Sequence, residues 1–285
     1  MVSTLHQAVK NRCMHKFLFV FLLITVSLLN FNCKSRSQVA ETSADPEVNY
    51  EAMWDEVEEM EKKGLGKKII EQTNLILEKA INENETNHIF KALSIRSKHL
   101  HSIEEASSYK IINSFEEKLD YAAAPLKQLL SSATAELYHQ YLQQNRWKLN
   151  ERSERAEHTD EDFRTWSAET LEKRIDLLYL MSVKDVETSI ETPLKDYDYI
   201  LNIPSTEVLP PKMYDYRPSL YDLLVDRALR HFELRSTNTF RPSITKTDVS
   251  KWFSPIEEYC TLPLGNDSSA FSLVASIYQS SICHH

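Results

Sequence analysis

Between Leu126 and Arg152 the chain repeats its apolar side chains at helical intervals more persistently than anywhere else. Leu126, Leu129, Leu130, Ala133, Leu137 and Tyr141 stay on one face at spacings of three and four, a stripe about four turns long. Tyr138 and Leu142 widen it, so the helix is predicted to be the most buried and to have neighbours on two sides. A strand alternates its faces at every residue and cannot use this pattern. Only 3 Gly occur in 285 residues, too few for the hairpins and tight turns of a β-rich fold. The chain is long enough for one large or two small domains. With 42% hydrophobic and 26% charged residues it has ordinary globular usage.

Other helical segments flank this stripe. Asp45-Pro46-Glu47 reads as an N-cap with Pro in the first turn, opening a helix through Trp54 and Val57 to Lys63, stopped by Gly64-Leu65-Gly66. Ile69, Ile70, Thr73, Ile76, Leu77, Ala80 and Ile81 mark a second helix. Ile89, Leu93, Ser97 and Leu100 mark a third, and Ser108, Ile112, Phe115, Leu119 and Ala122 a fourth. Short turns between pairs of roughly 35–40 residues give a tetratricopeptide-like character, although that repeat's Leu-Gly and Tyr signature is missing. The fold class expected is all-α, an irregular array of stacked antiparallel helices.

Beyond Arg152 comes a charged loop. Thr159 or Asp160 is the expected cap for a helix holding Leu171, Ile175 and Leu178. Pro193 to Tyr216 is a long connection with Tyr197, Tyr199, Tyr214 and Tyr216, aromatic side chains that either pack the loop onto the body or stack on a sugar. Leu220, Leu223, Leu224, Val225, Ala228, Leu229 and Phe232 form a helix apolar on most sides, predicted to be buried. Trp252-Phe253 and Tyr259-Cys260 are expected to plug against the helices. A last helix begins near Ser268, its stripe Phe271, Ala275, Tyr278 and Ile282 unfinished at Cys283-His284-His285, so the helical domain, 48–285, is expected to be truncated at its C-terminal end.

The other end carries targeting information. Phe17 to Leu29 is an apolar run broken by Thr25 and Ser27 and preceded by Met14-His15-Lys16, short enough for a signal-peptide core rather than a span. Residues 1–32 are thus expected to be a signal peptide whose true start is Met14. Its end, Leu28-Leu29-Asn30-Phe31-Asn32-Cys33, resembles a bacterial lipoprotein signal, with Cys33 as the lipid attachment site. Leu29 stands four residues before Cys33 instead of three, and Asn32 replaces the usual small residue. Several acyl chains, each CH₂ worth about 0.8 kcal/mol when buried, make a durable anchor. Residues 33–47 are polar, a lipidated tether reaching roughly 45 Å at about 3.3–3.6 Å per residue. The expected location is the cell envelope, lipid-anchored at the outer membrane. Loss of Lys10, Arg12 and Lys16 would take the formal charge from -9 to about -12, which repels phosphate backbones, so nucleic acid is not an expected partner.

Few side chains here suggest chemistry. Glu56, Glu58, Glu59 and Glu61 read as a solvated helix face near a positive terminus. His99 and His101 fall on different sides of a helix, whereas metal pairs on one face need a spacing of three or four. His158 with Asp160 and Glu161 lacks any nucleophile spacing. Cys260 and Cys283 have no Cys-x-x-Cys context; they are read as two unpaired thiols, with pairing open in an oxidising compartment. No Gly-rich phosphate loop, Gly-x-Ser-x-Gly or His-Glu-x-x-His occurs. No catalytic, metal or cofactor-binding residue and no cofactor is expected, and the chain is not read as an enzyme.

Four stretches in order resemble the N-terminal region of bacterial alpha-2-macroglobulin-like lipoproteins. They are Leu137 to Trp147 with Tyr-Leu-Gln-Gln-Asn-Arg-Trp, then Asp162-Phe163-Arg164-Thr165-Trp166. Next come Tyr216-Arg217-Pro218-Ser219-Leu220-Tyr221-Asp222 with Asp226-Arg227-Ala228-Leu229, and Phe253-Ser254-Pro255 through Leu262-Pro263-Leu264. The resemblance spans Asn49 to Gln279 and implies a helical region preceding macroglobulin-type β-sandwich domains in an envelope protease trap. Its implied partners are the membrane through the lipid, those downstream domains, and proteases. The Cys-Gly-Glu-Gln thioester of many such proteins is not in this sequence, so Cys33 alone takes over a role. The alternative is a helical lipoprotein that binds glycan or peptide ligands through its aromatic loops.

Overall fold

Helices carry the chain wherever it is described, which in a computed structural model is residues 49–150, 162–200, 213–238, 252–264 and 269–284, all within one unit, Asn49–His285. The leader, Cys33, the tether and the cap at Asp45 lie outside the described residues, as do His158, Thr159 and Asp160. Five helices come first: α1 Tyr50–Lys62, α2 Gly66–Glu83, α3 Thr86–Ile103, α4 Ser107–Tyr121 and α5 Leu126–Asn150. They are followed by α6 Ala168–Ser182, α7 Val186–Glu191, α8 Met213–Tyr216, α9 Leu220–Asn238, α10 Ile256–Tyr259 and α11 Ala270–His284. Two 3-10 turns, Phe163–Thr165 and Leu194–Ile200, lie between them. Among the described residues there is no strand, only an isolated bridge between Pro193 and Ser219. The fold is all-α. The first five helices run 13, 18, 18, 15 and 25 residues, so no repeat unit recurs and the array is irregular.

Local chemistry sets the helix ends. Asn49 caps α1, its side chain accepting from the Glu51 N–H at 3.2 Å. At the other end Gly64 sits at φ +66°; its N–H reaches Glu61 O and that of Leu65 reaches Met60 O, both at 3.0 Å, a double bond pattern that needs a left-handed residue. Asn84 does the same for α2 at φ 58° without a glycine, and Glu85 N–H closes on Ala80 O at 2.9 Å. This is how a chain with so few glycines still turns tightly. The caps after the charged loop are Asp162, whose carboxylate accepts from Arg164 N–H, and Ser167, which accepts from Thr170 N–H at 3.1 Å. Ser219 and Asp222 cap α9 reciprocally: Ser219 N–H donates to Asp222 at 2.9 Å and Asp222 N–H to Ser219 Oγ at 3.3 Å.

Neighbouring helices pair, α2 with α3, α5 with α6 and α9 with α11, and α5 also meets α3, α4 and α9. The first half of α5 confirms the expectation of neighbours on two sides. From Leu126 to Ala135 only Lys127 and Ala133 are not buried. Ser131 and Thr134 survive there because each hydroxyl donates to a carbonyl one turn back, at 2.8 and 2.7 Å. Beyond Ala135 the burial moves to Tyr138 and Leu142, while the predicted stripe members Leu137 and Tyr141 are half-buried. Phe163, almost wholly buried, plugs the α4–α5 junction with rings on four sides. Tyr141, Tyr138, Tyr109 and Trp166 lie at 5.0, 5.3, 5.7 and 6.5 Å between centroids. The α9 helix is buried as predicted, with Leu220, Leu224 and Ala228 at zero exposure.

Three expectations at the C-terminal side change. Cys260 and Cys283 form a disulfide, Cα atoms 5.7 Å apart, because the turn after α10 and the end of α11 lie side by side. Gln279 Nε2 fixes that approach by donating to Tyr259 O at 2.7 Å and Leu262 O at 3.0 Å. The face α11 turns inward is centred on Ile277, with Leu273 and Val274 packed on the core, so Tyr278 and Ile282 of the predicted stripe are exposed. Tyr221, donor or acceptor to Ser280 at 2.9 Å, selects that face. Trp252 does stack on Phe271, at 5.9 Å, but Phe253 is 88% exposed and plugs nothing.

Leu224→Ala, at a site with no exposure, is expected to cost about 2–5 kcal/mol in urea unfolding, and Leu137→Ala, half-buried, clearly less. Reducing the disulfide, which closes a span of 23 residues, is expected to lower stability by about 3 kcal/mol; identical unfolding curves with and without reductant would contradict this.

Candidate functional site: a two-chamber groove

The half-buried residues of α5 mark the site. Ala133, Leu137 and Tyr141 are spaced as core, yet among the described residues no helix covers them. They floor a cavity of about 400 Å³ instead, walled by Phe90 of α3, Ile112 and Phe115 of α4, and Leu223 of α9. Phe90 and Phe115 meet edge to face at 6.3 Å in that wall. Tyr199 from the 3-10 turn Leu194–Ile200 closes one side; its hydroxyl donates to Asn87 O at 3.0 Å, and burial pushes its pKa upward.

A second cavity of about 420 Å³ lies between α5, α6 and α9 and shares two residues with the first, Glu136 and Arg227. Its lining is of another kind: Arg146, Arg227, Arg230 and Arg235 with His139 and His231, against Glu136 and Glu172. In a chain of formal charge -9 this is a local concentration of guanidinium groups. Arg230 pairs with Asp226 at 2.8 Å and Arg235 with Asp176.

Glu136 and Arg227 form the ridge between the chambers. Glu136 accepts from Gln140 Nε2 at 3.1 Å and from the Tyr179 hydroxyl at 3.3 Å. Burial first, and then the Glu136 charge, push the Tyr179 pKa to about 12, so it stays a donor. Arg227 Nε donates to Ser132 Oγ at 2.7 Å, while its ion pair with Glu136 is stretched to 3.9 Å, beyond a hydrogen bond.

His231 has the form of a general base but not the company. Its Nε2 lies 2.7 Å from Asp176 Oδ1, and its ring stacks on Tyr179 at 4.7 Å. Asp–His pairs of this kind serve hydrolases when a hydroxyl or thiol bonds the second nitrogen. Among the described residues His231 has no such partner, and Asp176 spends its other oxygen on Arg235. The group ties α6 to α9.

The remaining sequence candidates fall apart in space. His99 bonds Glu61 at 2.8 Å and His101 approaches Ser107 at 3.3 Å, so the two rings serve different neighbours. Of the acidic face, Glu58 and Glu59 pair with Lys62, and Glu56 accepts from Gln72. Among the described residues no cluster of His, Cys, Asp or Glu is arranged to hold a metal, and no helix is long and apolar enough to cross a membrane. Of the four loop tyrosines, Tyr197 is buried and Tyr199 packs on α3; Tyr214 bonds Asp198, and Tyr216 is 80% exposed. They do not make a common platform. Sequence reasoning missed the chambers because each wall comes from a different helix. The one available signal was Arg227, a cation within the apolar run of α9.

The site therefore belongs to a helical array with a two-sided groove. No family model, no curated protein and no solved structure matches the chain.

A separate cluster joins α1 to α3. Trp54 Nε1 donates to His88 Nδ1 at 3.1 Å, and the imidazole stacks on Tyr50 at 3.8 Å. Burial holds the His88 pKa below its ordinary 6.5, so the unfolded chain binds this proton more readily than the folded one. The stabilisation is complete above the unfolded value and is lost as pH falls below it toward the folded value. Urea midpoints are expected to fall between about pH 7 and pH 5, and His88→Gln is expected to show a shallower fall over that range.

Proposed function

We propose that this chain is the non-enzymatic helical scaffold at the N-terminal side of a membrane-tethered alpha-2-macroglobulin-like envelope protein, a protease trap whose bait and capture regions lie in other domains. The observation that carries the reading is where its motif residues sit. Tyr138, Tyr141, Phe163 and Trp166, drawn from two of the four motifs, meet in one aromatic plug. Ser219 and Asp222 of the third cap α9, and Arg217 pairs with Asp226 at 3.3 Å. In the fourth, Cys260 is stapled to α11 and Leu262 is buried. Residues spread over more than a hundred positions thus serve one packing arrangement, as a shared scaffold requires.

The apolar edge adds support. Phe253, Ile256, Tyr278 and Ile282 are 88%, 51%, 43% and 44% exposed on segments that the disulfide and Gln279 hold together. A docked downstream domain would cover such side chains. Anchoring through Cys33 completes the reading, with the membrane and attacking proteases as partners. The groove favours a second reading, a helical lipoprotein that binds ligands, with helix faces supplying most of the lining and Tyr199 of the aromatic loop closing one side.

In the source cells an antibody against this chain should detect a membrane-bound polypeptide of roughly 100 kDa or more, since each sandwich domain adds about 100 residues. A band near 33 kDa would remove the macroglobulin reading. Cys33→Ser should shift the protein from the membrane to the soluble fraction with its helical circular dichroism unchanged; continued sedimentation with membranes would remove the anchor.

A further inference from the structure

We propose that the two-chamber groove binds extended peptide segments in which a bulky apolar side chain is followed closely by carboxylates. The proposal rests on the groove and names a ligand class for the second, ligand-binding reading; it needs neither the lipid anchor nor a downstream domain. The apolar chamber, at about 400 Å³, falls within the roughly 300–1,000 Å³ of ligand sites. Its floor continues a core stripe, so the surface left open is one that gains from being covered.

The adjoining chamber sets the charge of whatever extends past the ridge. Arg227 spends one N–H on Ser132, and its pair with Glu136 is stretched to 3.9 Å. The other donors of its guanidinium fork therefore stay available to a carboxylate. Arg146, exposed on the rim of the same chamber, has no carboxylate partner among the described residues. A ligand that crosses from one chamber to the other passes Arg227 and meets Arg146, which calls for an acidic group next to an apolar one.

The rim favours a peptide over an acyl chain. Gln140 and Gln144 stand one turn apart along the edge of the apolar chamber. The Gln140 amide gives its N–H to Glu136 and keeps its carbonyl oxygen, and Gln144 has no intramolecular partner among the described residues. Side-chain amides one turn apart supply both donors and acceptors to a passing backbone, whereas a hydrocarbon tail would bury them unsatisfied.

Selection of a phage-displayed library of random dodecapeptides against the folded chain tests this. The enriched sequences should carry Leu, Ile, Phe or Trp followed within about three residues by Asp or Glu, the reach of an extended strand at about 3.3 Å per residue. A fluorescein-labelled copy of an enriched peptide should bind in anisotropy titrations and weaken as salt rises. It should lose about tenfold or more on changing its acids to amides, on Ala133→Phe, which fills the apolar chamber, and on Arg146→Gln. Arg146 is exposed, so its variant reports binding even where Ala133→Phe disturbs folding. Basic enriched sequences, no enrichment, or wild-type affinity in Arg146→Gln would each overturn the proposal. So would binding of dodecanoate that displaces the dye anilinonaphthalene sulfonate when no peptide does. A peptide that binds while the antibody finds only a small soluble protein would leave this inference standing and remove the macroglobulin one.

Discussion

Burial of α5 on two faces at once is the constraint from which the architecture follows. A helix whose side chains are enclosed from Leu126 to Ala135 cannot lie on a surface, so α4, α6 and α9 must come to it from different directions. That demand is met over its first half only. Further along, Phe163 and its ring of aromatics occupy one side, and the opposite side is left to a concavity. The groove is thus the place where a core pattern outruns its partners.

Electrostatics shares the work in a regular manner. Several carboxylates of this acidic chain are committed to ties between helices: Glu61 to Lys98 and His99, Glu116 to Arg174, Asp176 to His231 and Arg235. At Glu61 burial works against the charged form, but the hydrogen bonds from His99 and Lys98 outweigh it and the carboxyl stays below its usual range. Ties of this sort add little stability where they are exposed. Their value is in fixing which face of one helix meets which face of the next, and they use acids that would otherwise repel one another. Around Arg146 and Arg227 such ties are looser: Arg227 stands 3.9 Å from Glu136, and Arg146 has no carboxylate partner among the described residues.

The helices were legible because period and burial agree over most of the chain. The stripes beginning at Ile69 and Ile89, and that at Leu220, each became a buried helix face, although Ile81 at the end of the first is exposed. Legibility failed where a face is chosen by a distant partner. The α11 stripe looked continuous through Tyr278 and Ile282, yet the Tyr221–Ser280 contact and the Cys260–Cys283 bond turn Ile277 inward. Spacing alone could not show that two cysteines 23 residues apart would lie side by side. The candidate site was less legible still. Leu137 and Tyr141 read as core because periodicity reports which side of a helix is apolar and not whether anything rests on it. The Asp176–His231 pair, 55 residues apart, leaves no local trace at all.

The Arg227 guanidinium and the Glu136 carboxylate together stand as the party wall of both chambers. A shift of either side chain therefore moves the boundary of both compartments at once. Occupants of the two compartments would consequently sense each other through the displacement of one side chain, even without touching.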